Sequence, residues 1–123
     1  MSFLSRLFPR KIMSEADALS ALKVSVVQSD TQRIKELIAQ YPSLLEKSDV
    51  KGMRPLHWAS EAQSLSSIAC LVDLGADVTQ KEAMGYTPEQ IAYWHGEFRM
   101  GAYTDVCLKI VDRLKKSPTA ENT

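Results

Sequence analysis

Apolar residues recur at intervals of three and four positions along the first third of the chain, which is the spacing of one face of an α-helix. The pattern predicts helices at about 14–28 and 31–40. Ser14 and Asp30 stand where the two helices would begin, and their side chains can accept a hydrogen bond from an amide of the first turn. The second helix should end before Pro42, because a residue that precedes proline is biased away from helical backbone.

A second helix pair follows the same pattern. Pro55 suits the first position of a short helix that ends near Gln63. Ser64 can cap a further helix, and Gly75 is a good terminator for it because glycine adopts the left-handed backbone that often follows a helix. The loop that precedes this pair, residues 48–52, is polar.

A third pair begins at Thr87 and Gln90, whose side chains can each bond the backbone amide of the other in a capping box. The helix that follows is predicted to end at His95 and Gly96, and the last helix to span about 104–115. The elements together predict an all-α fold.

Several residues recur at a fixed interval of 33 positions. The pairs are Asp49 and Glu82, Gly52 and Gly85, Pro55 and Pro88, and Ala59 and Ala92. A period of this size is typical of stacked repeats, in which each unit buries its apolar face against its neighbours. Proteins of this kind usually act as binding surfaces.

Residues 49–81 resemble an ankyrin repeat, through Pro-Leu-His at 55–57 and Gly-Ala-Asp-Val at 75–78. The third unit is similar through fewer residues, and the first only through its helical pattern. The resemblance implies an ankyrin-type solenoid of about three helix-turn-helix repeats with short β-hairpin fingers. Its domain would span 14–116, in units of about 14–48, 49–81 and 82–116, between a segment at 1–13 and a disordered tail at 117–123.

The resemblance also implies binding on a concave face made by the fingers and the inner helices. The finger residues expected to point toward solvent are Val50, Lys51, Met53, Ala83, Met84 and Tyr86. The inner-helix candidates are Glu61, Trp94 and His95, while Trp58 would line the same groove or pack inside it. Exposed Met, Tyr and Trp on one face favour an apolar contact patch. The alternative is that these side chains pack between repeats.

The third unit carries about seven extra residues, at 97–103. Insertions in repeat proteins often lie on the binding face. Phe98, Arg99, Met100 and Tyr103 are of the types that anchor interfaces. The alternative is a compact loop that packs its own aromatic side chains onto the last helix.

Composition narrows the function further. The chain is 45% apolar and 24% charged with no net charge, and it has no apolar run of the ~20 residues that cross a bilayer. Residues 14–114 hold ten basic and fourteen acidic residues, so a body of net charge −4 carries basic ends. The absence of net charge gives no reason to expect nucleic-acid binding. The acidic body favours a partner with a basic surface. Cys70 and Cys107 lie in apolar helical patterns, which predicts buried free thiols and a reducing, cytoplasmic setting.

The segment at 1–13 combines apolar and basic residues, namely Phe3, Leu4, Leu7 and Phe8 with Arg6, Arg10 and Lys11. It lacks the continuous apolar core of a secretion signal. Three alternatives stay open for it: packing back over the first helix pair, a disordered tail, or contact with a membrane or a partner.

No residue set predicts catalysis, a metal or a cofactor. In the ankyrin family the histidine equivalent to His57 bonds backbone groups between adjacent fingers, and no nucleophile is tied to it here. The histidines lie 38 residues apart and the cysteines 37, which is not metal-ligand spacing. The sequence therefore favours a non-enzymatic module that binds a folded protein. Alternatives are an inhibitor or immunity-type protein that neutralises a cognate enzyme or toxin, a membrane-surface adaptor acting through residues 1–11, and a hydrolytic site around His57 and Glu61.

Overall fold

A computed structural model describes residues 13–100 and 105–116. These residues form six α-helices and one 3₁₀ helix, with no β-strand among them, so the predicted all-α class is confirmed. The elements in chain order are α1 (Glu15–Val27), α2 (Thr31–Gln40), the 3₁₀ helix (Pro42–Glu46), α3 (Pro55–Glu61), α4 (Leu65–Asp73), α5 (Pro88–Met100) and α6 (Asp105–Lys115).

The helices form two layers. The odd-numbered helices pack side by side in the order α1, α3, α5, and the even-numbered helices do the same in the order α2, α4, α6. Each odd helix also packs against the even helix that follows it in the chain. The apolar faces meet between the layers in one continuous core, whose fully buried members include Leu22, Ile34, Leu37, Ile68, Leu71, Ile110 and Leu114.

The helices begin where the sequence predicts. Ser14, Asp30 and Ser64 each accept a hydrogen bond from the amide three residues ahead, at 3.1, 3.1 and 3.3 Å. The Thr87 hydroxyl accepts from the Gln90 amide at 3.3 Å, and the Gln90 side chain accepts from the Thr87 amide at 2.9 Å. These bonds satisfy amides that lack partners within their own helix, which confirms the predicted caps.

Three helices end in the same way, with one residue in the left-handed backbone region. These residues are Ser29 (φ 61°), Gln63 (φ 56°) and Gly75 (φ 100°). The amide of the next residue reaches back five positions in each case, from Asp30 to Ser25, from Ser64 to Ala59 and from Ala76 to Leu71. The shared pattern is that of a Schellman motif. It aligns the end of α1 with the end of α3 at an offset of 34 residues.

Two closed turns, at residues 49–53 and 82–86, stand before α3 and α5. In the first turn the Asp49 amide donates to the Met53 carbonyl (2.9 Å), and in the second the Glu82 amide donates to the Tyr86 carbonyl (2.9 Å). Gly52 and Gly85 hold equivalent left-handed positions, with φ of 75° and 91°. The 33-residue period of the sequence is therefore also a period of the backbone hydrogen bonds.

The two turns lie side by side. The Ala83 amide donates to the Lys51 carbonyl at 3.0 Å, so one backbone bond joins the turn tips. A Cβ atom added to Gly52 would stand 2.8 Å from the Ala83 nitrogen, which shows how closely the two backbones approach. The segments predicted as β-hairpins are thus tight turns, each closed by its own hydrogen bonds.

One predicted helix end was wrong, and one helix was not predicted. The helix expected to end at Gly96 continues to Met100, because a single glycine within a helix costs only about 1 kcal/mol. The sequence also gave no warning of the 3₁₀ helix at Pro42–Glu46. Pro42 interrupts α2 but its own fixed φ is compatible with a new helical turn, and this turn buries Leu44.

Two further observations concern the predicted setting. No helix in the described ranges is both long enough and apolar enough to cross a membrane. Cys70 is a buried free thiol, as predicted, and burial raises the pKa of that thiol. Cys107 belongs to α6, but its side chain lies outside the described part, as do residues 1–12 and 117–123.

Candidate functional site

Those described site residues that lie outside the core form two groups, one on the turns and one on the odd-numbered helices. All are exposed except Glu61 and His95, which are half-buried. The turn patch consists of Val50, Lys51, Ala83, Met84 and Tyr86. The helix-end patch consists of Glu61, Trp94 and His95, near the ends of α3 and in α5. At 1.5 Å per residue, the six residues from Pro88 to Trp94 place the helix-end patch about 9 Å along α5 from its first residue.

The turn patch exposes apolar side chains on a fixed backbone. Met84 is 76% exposed, and Val50 is completely exposed. Both belong to turns that are closed by internal hydrogen bonds and joined to each other through Ala83 and Lys51. The backbone that carries these side chains is therefore fixed, although the side chains add nothing to the core.

The Asp49 carboxylate stabilises the first turn through hydrogen bonds to the turn and to α3. One of its carboxylate oxygens accepts from the amides of Lys51 (2.8 Å) and Met53 (3.0 Å), and the other accepts from Trp58 Nε1 (3.1 Å). Partial burial acts to raise the pKa of Asp49, but these hydrogen bonds outweigh it and the pKa is lowered. In the second turn the Glu82 carboxylate accepts from the Tyr86 amide at 2.9 Å.

His57 connects the turns to α3. Its Nδ1 atom accepts from the Arg54 amide at 3.1 Å, so Nε2 carries the hydrogen and faces the carbonyls of Gln80 (3.0 Å) and Tyr86 (3.1 Å). Burial is the main cause that lowers the pKa of His57, which keeps the ring neutral. Both ring nitrogens are thus engaged by backbone groups, and the predicted role of His57 as a bridge to the second turn is confirmed.

The helix-end patch is built around a histidine–carboxylate contact and an aromatic contact. His95 Nε2 lies 3.6 Å from Glu61 Oε2, which joins α5 to α3. The Trp94 ring stands edge-on to the His95 ring, with 4.8 Å between the centroids and an angle of 86° between the planes. Trp94 is 59% exposed, so a large apolar surface faces solvent beside a histidine–carboxylate pair.

Two of the predicted site residues lie in the core. Met53 does not face solvent as predicted, and Trp58 takes the second of its two predicted positions, packed inside. Met53 is only 7% exposed and Trp58 only 2%. Met53 follows the turn at the point where the chain returns to α3, and its side chain joins the apolar cluster. Trp58 donates to Asp49 and lies under Lys23 Nζ, which is 5.7 Å from the ring centroid. Both residues support the turn patch from within.

The structure tests the prediction for the insertion at 97–103 only at the backbone of residues 97–100. Residues 97–100 belong to α5, so the first part of the predicted loop is helical. The side chains of Phe98, Arg99 and Met100, and the whole of Tyr103, lie outside the described part of the chain. Their predicted contact with a partner stays a prediction.

The sequence reasoning missed two exposed apolar residues, Val24 and Val27, both on α1. The spacing of the valines in the sequence could have indicated them. Valines at 24, 26 and 27 cannot all face the same core, because a helix turns by about 100° per residue. Val26 is buried, and the other two valines therefore point elsewhere.

Within 13–100 and 105–116 no three His, Cys, Asp or Glu side chains come together in a way that could hold a metal ion. No protein-family model matches the chain, and no curated protein is significantly similar to it. The functional assignment therefore depends on the geometry of the two patches.

Proposed function

We propose that this protein is a non-enzymatic binding module that holds a folded partner protein against the turn patch and the helix-end patch. The observation that carries the proposal is the exposure of Met84 and Trp94 on a rigid framework. Large apolar side chains of these types are enriched at protein interfaces, and here they take no part in the core.

The architecture that we propose is an ankyrin-type array, in which the turns at 49–53 and 82–86 act as fingers. The repeated hydrogen bonds of the turns and the two helix layers support this interpretation. An array of this kind presents its fingers and inner helices on one side. The partner would then cover both patches at once.

Rigidity would contribute to the affinity. The turns are closed before any partner arrives, so little backbone conformational entropy is lost on binding. Full burial of a side chain such as that of Met84 is worth about 1.5–3 kcal/mol. The net charge of −4 over residues 14–114 favours a partner with a basic surface, mainly through a faster association rate.

The mode of action would be steric masking or scaffolding, of which inhibition of a cognate enzyme or toxin is one form. Both nitrogens of His57 are committed to backbone groups, which supports a role without covalent chemistry. The buried free thiol of Cys70 supports a reducing, cytoplasmic setting as part of the same proposal.

The test is to capture the partner from the native host and then measure its affinity for purified variants. Met84→Ala and Trp94→Ala should each weaken binding at least tenfold, since each removes about 1.4 kcal/mol or more of contact. Leu74→Ala is the matched control, because Leu74 is an exposed apolar residue at the end of α4, in the other layer. Equal affinity of all three variants, with unchanged circular dichroism, would refute the proposed surface.

A further inference from the structure

Val24 and Val27 form an exposed apolar face on α1. They are 54% and 53% exposed and lie three residues apart, so they are neighbours on the helix surface. The buried residues of α1 are Ala18, Leu22, Ser25 and Val26. The valine face is therefore additional to the face that packs on the core.

The position of Val24 is buried in the other two helices of its layer. The Schellman ends of α1 and α3 align Val24 with Trp58 at an offset of 34 residues, and the 33-residue period aligns Trp58 with Ile91. Trp58 is 2% exposed and Ile91 8%. Only the first of these three equivalent side chains is half exposed. The same alignment places Val27 with Glu61 and Trp94, and Trp94 is 59% exposed, so Val24 is the residue of this face that lacks the cover found elsewhere in its layer.

The segment that precedes α3 contacts Trp58, and the equivalent segment before α1 would contact Val24. Trp58 bonds Asp49, which belongs to the segment that precedes α3 in the chain. For α1 the preceding segment is residues 1–12. That segment holds four large apolar residues, Phe3, Leu4, Leu7 and Phe8.

We propose that the face formed by Val24 and Val27 is the docking surface for the chain's own residues 1–12. The segment starts from a fixed point, since the Met13 amide donates to Tyr41 Oη at 2.8 Å and Tyr41 Oη donates to the Met13 carbonyl at 3.2 Å. Val24 is nine residues along α1 from Glu15, a distance of about 14 Å at 1.5 Å per residue. An extended chain covers this distance in about four residues, so Phe8, five residues before Met13, is within reach of the valines.

Charge favours the same occupant. The side chains of Arg6, Arg10 and Lys11 carry the only charges of residues 1–12, and the first turn of α1 exposes the carboxylate of Asp17. Glu15 is already paired with Lys47, at 2.6 Å, and Lys23 is the one basic residue of α1. A tethered segment also acts at an effective concentration in the millimolar range. A second copy is less suited, because the described surface of α6 at the far end of the array exposes Lys109, Asp112, Lys115 and Lys116.

A double-mutant cycle in the full chain tests the contact. One arm combines Val24→Ala with Val27→Ala, and the other combines Leu7→Ser with Phe8→Ser. In the parent chain the valine arm should raise the unfolding equilibrium constant about tenfold, measured by urea denaturation. In the Leu7→Ser/Phe8→Ser background it should change that constant less than about twofold. In that background residues 1–12 no longer contact the valines, and the higher helix propensity of alanine offsets the small loss of apolar contact that is left.

Val50→Ala is the matched control, since Val50 is an exposed valine remote from α1 in sequence; its effect should be the same in both backgrounds. An equal effect of the valine arm in both backgrounds would show no coupling between the two sites and would overturn the proposal. A denaturation midpoint that rises with protein concentration would also overturn it, because it would identify a second copy as the occupant.

Discussion

Gly52 and Gly85 have the same backbone conformation but different surroundings. Both have positive φ, at 75° and 91°. A Cβ on Gly85 would meet nothing within 4 Å, whereas a Cβ on Gly52 would stand 2.8 Å from the Ala83 nitrogen. A substitution at Gly85 therefore measures the cost of a positive φ alone, whereas one at Gly52 adds the cost of pushing the neighbouring turns apart.

Gly85→Ala should therefore lower the free energy of unfolding by about 1 kcal/mol, the cost of a side chain in the left-handed region. Gly52→Ala should lower it by about 2–4 kcal/mol, because overpacking against a backbone atom is added. Urea denaturation of the two variants provides the comparison. Equal losses would show that the two turns do not press on each other.

His57 gives the stability a pH dependence near neutrality. Its pKa in the folded protein lies below the ordinary value of 6.5, with burial as the main cause. Between the lowered pKa and 6.5 the unfolded chain therefore binds more protons than the folded chain, so stability rises with pH. The stability that neutral His57 contributes is present above pH 6.5 and is lost as the pH falls through the lowered pKa.

The urea midpoint should accordingly be lower at pH 5.5 than at pH 7.5. His57→Gln is the variant that checks the assignment, because it removes the titrating group and retains a side-chain hydrogen-bond donor. The difference between the two midpoints should shrink in this variant. A difference of the same size with and without His57 would assign the pH dependence to another group.

At the scale of elements, the two turns share one hydrogen-bond plan but differ in the carboxylate that supports them. Asp49 accepts bonds from two amides and from Trp58, whereas Glu82 accepts one bond from the Tyr86 amide. The first turn is also the one whose carboxylate reaches a buried side chain. The first turn is thus tied to the core, while the second is supported mainly by its own backbone and by His57.

Asp49→Ala should consequently destabilise the protein by about 2–3 kcal/mol, because it leaves Trp58 Nε1 and two amides without their acceptor. Glu82→Ala should cost about 1 kcal/mol or less. Thermal unfolding followed by circular dichroism measures both. A larger loss for Glu82→Ala than for Asp49→Ala would reverse the assigned roles of the two turns.

At the scale of the whole molecule, a single core runs through both layers from α1 to α6. Repeat units contribute to stability through their own contacts and through the interface with their neighbours. Here each of the two layers continues without a break across all three helix pairs. The array should unfold as one cooperative unit.

The two tryptophans report on different parts of the array, since Trp58 lies in α3 and Trp94 in α5. With Trp58→Phe, fluorescence follows α5; with Trp94→Phe, it follows α3. For each variant the fluorescence midpoint in urea should coincide with the midpoint from circular dichroism. A fluorescence transition that precedes the loss of helix would show that one pair unfolds on its own.

The sequence by itself determined where most helices begin and end, and that two units repeat. Ser14, Asp30, Ser64 and Gly75 act on backbone groups within five residues of themselves, so local chemistry is enough to predict them. The 33-residue period is equally direct, because the turns at 49–53 and 82–86 need the same glycine and carboxylate positions.

Only the tertiary structure decided which predicted site residues are exposed. Met53 and Met84 have the same side chain and both belong to turns, yet one is buried and the other faces solvent. Packing also decided how far Val24 is exposed and which two carbonyls His57 contacts, although the valine spacing and the resemblance around His57 pointed toward both. The physical reason is that burial depends on groups brought close by packing, such as Gln80 and Tyr86, which lie 23 and 29 residues from His57 in the chain.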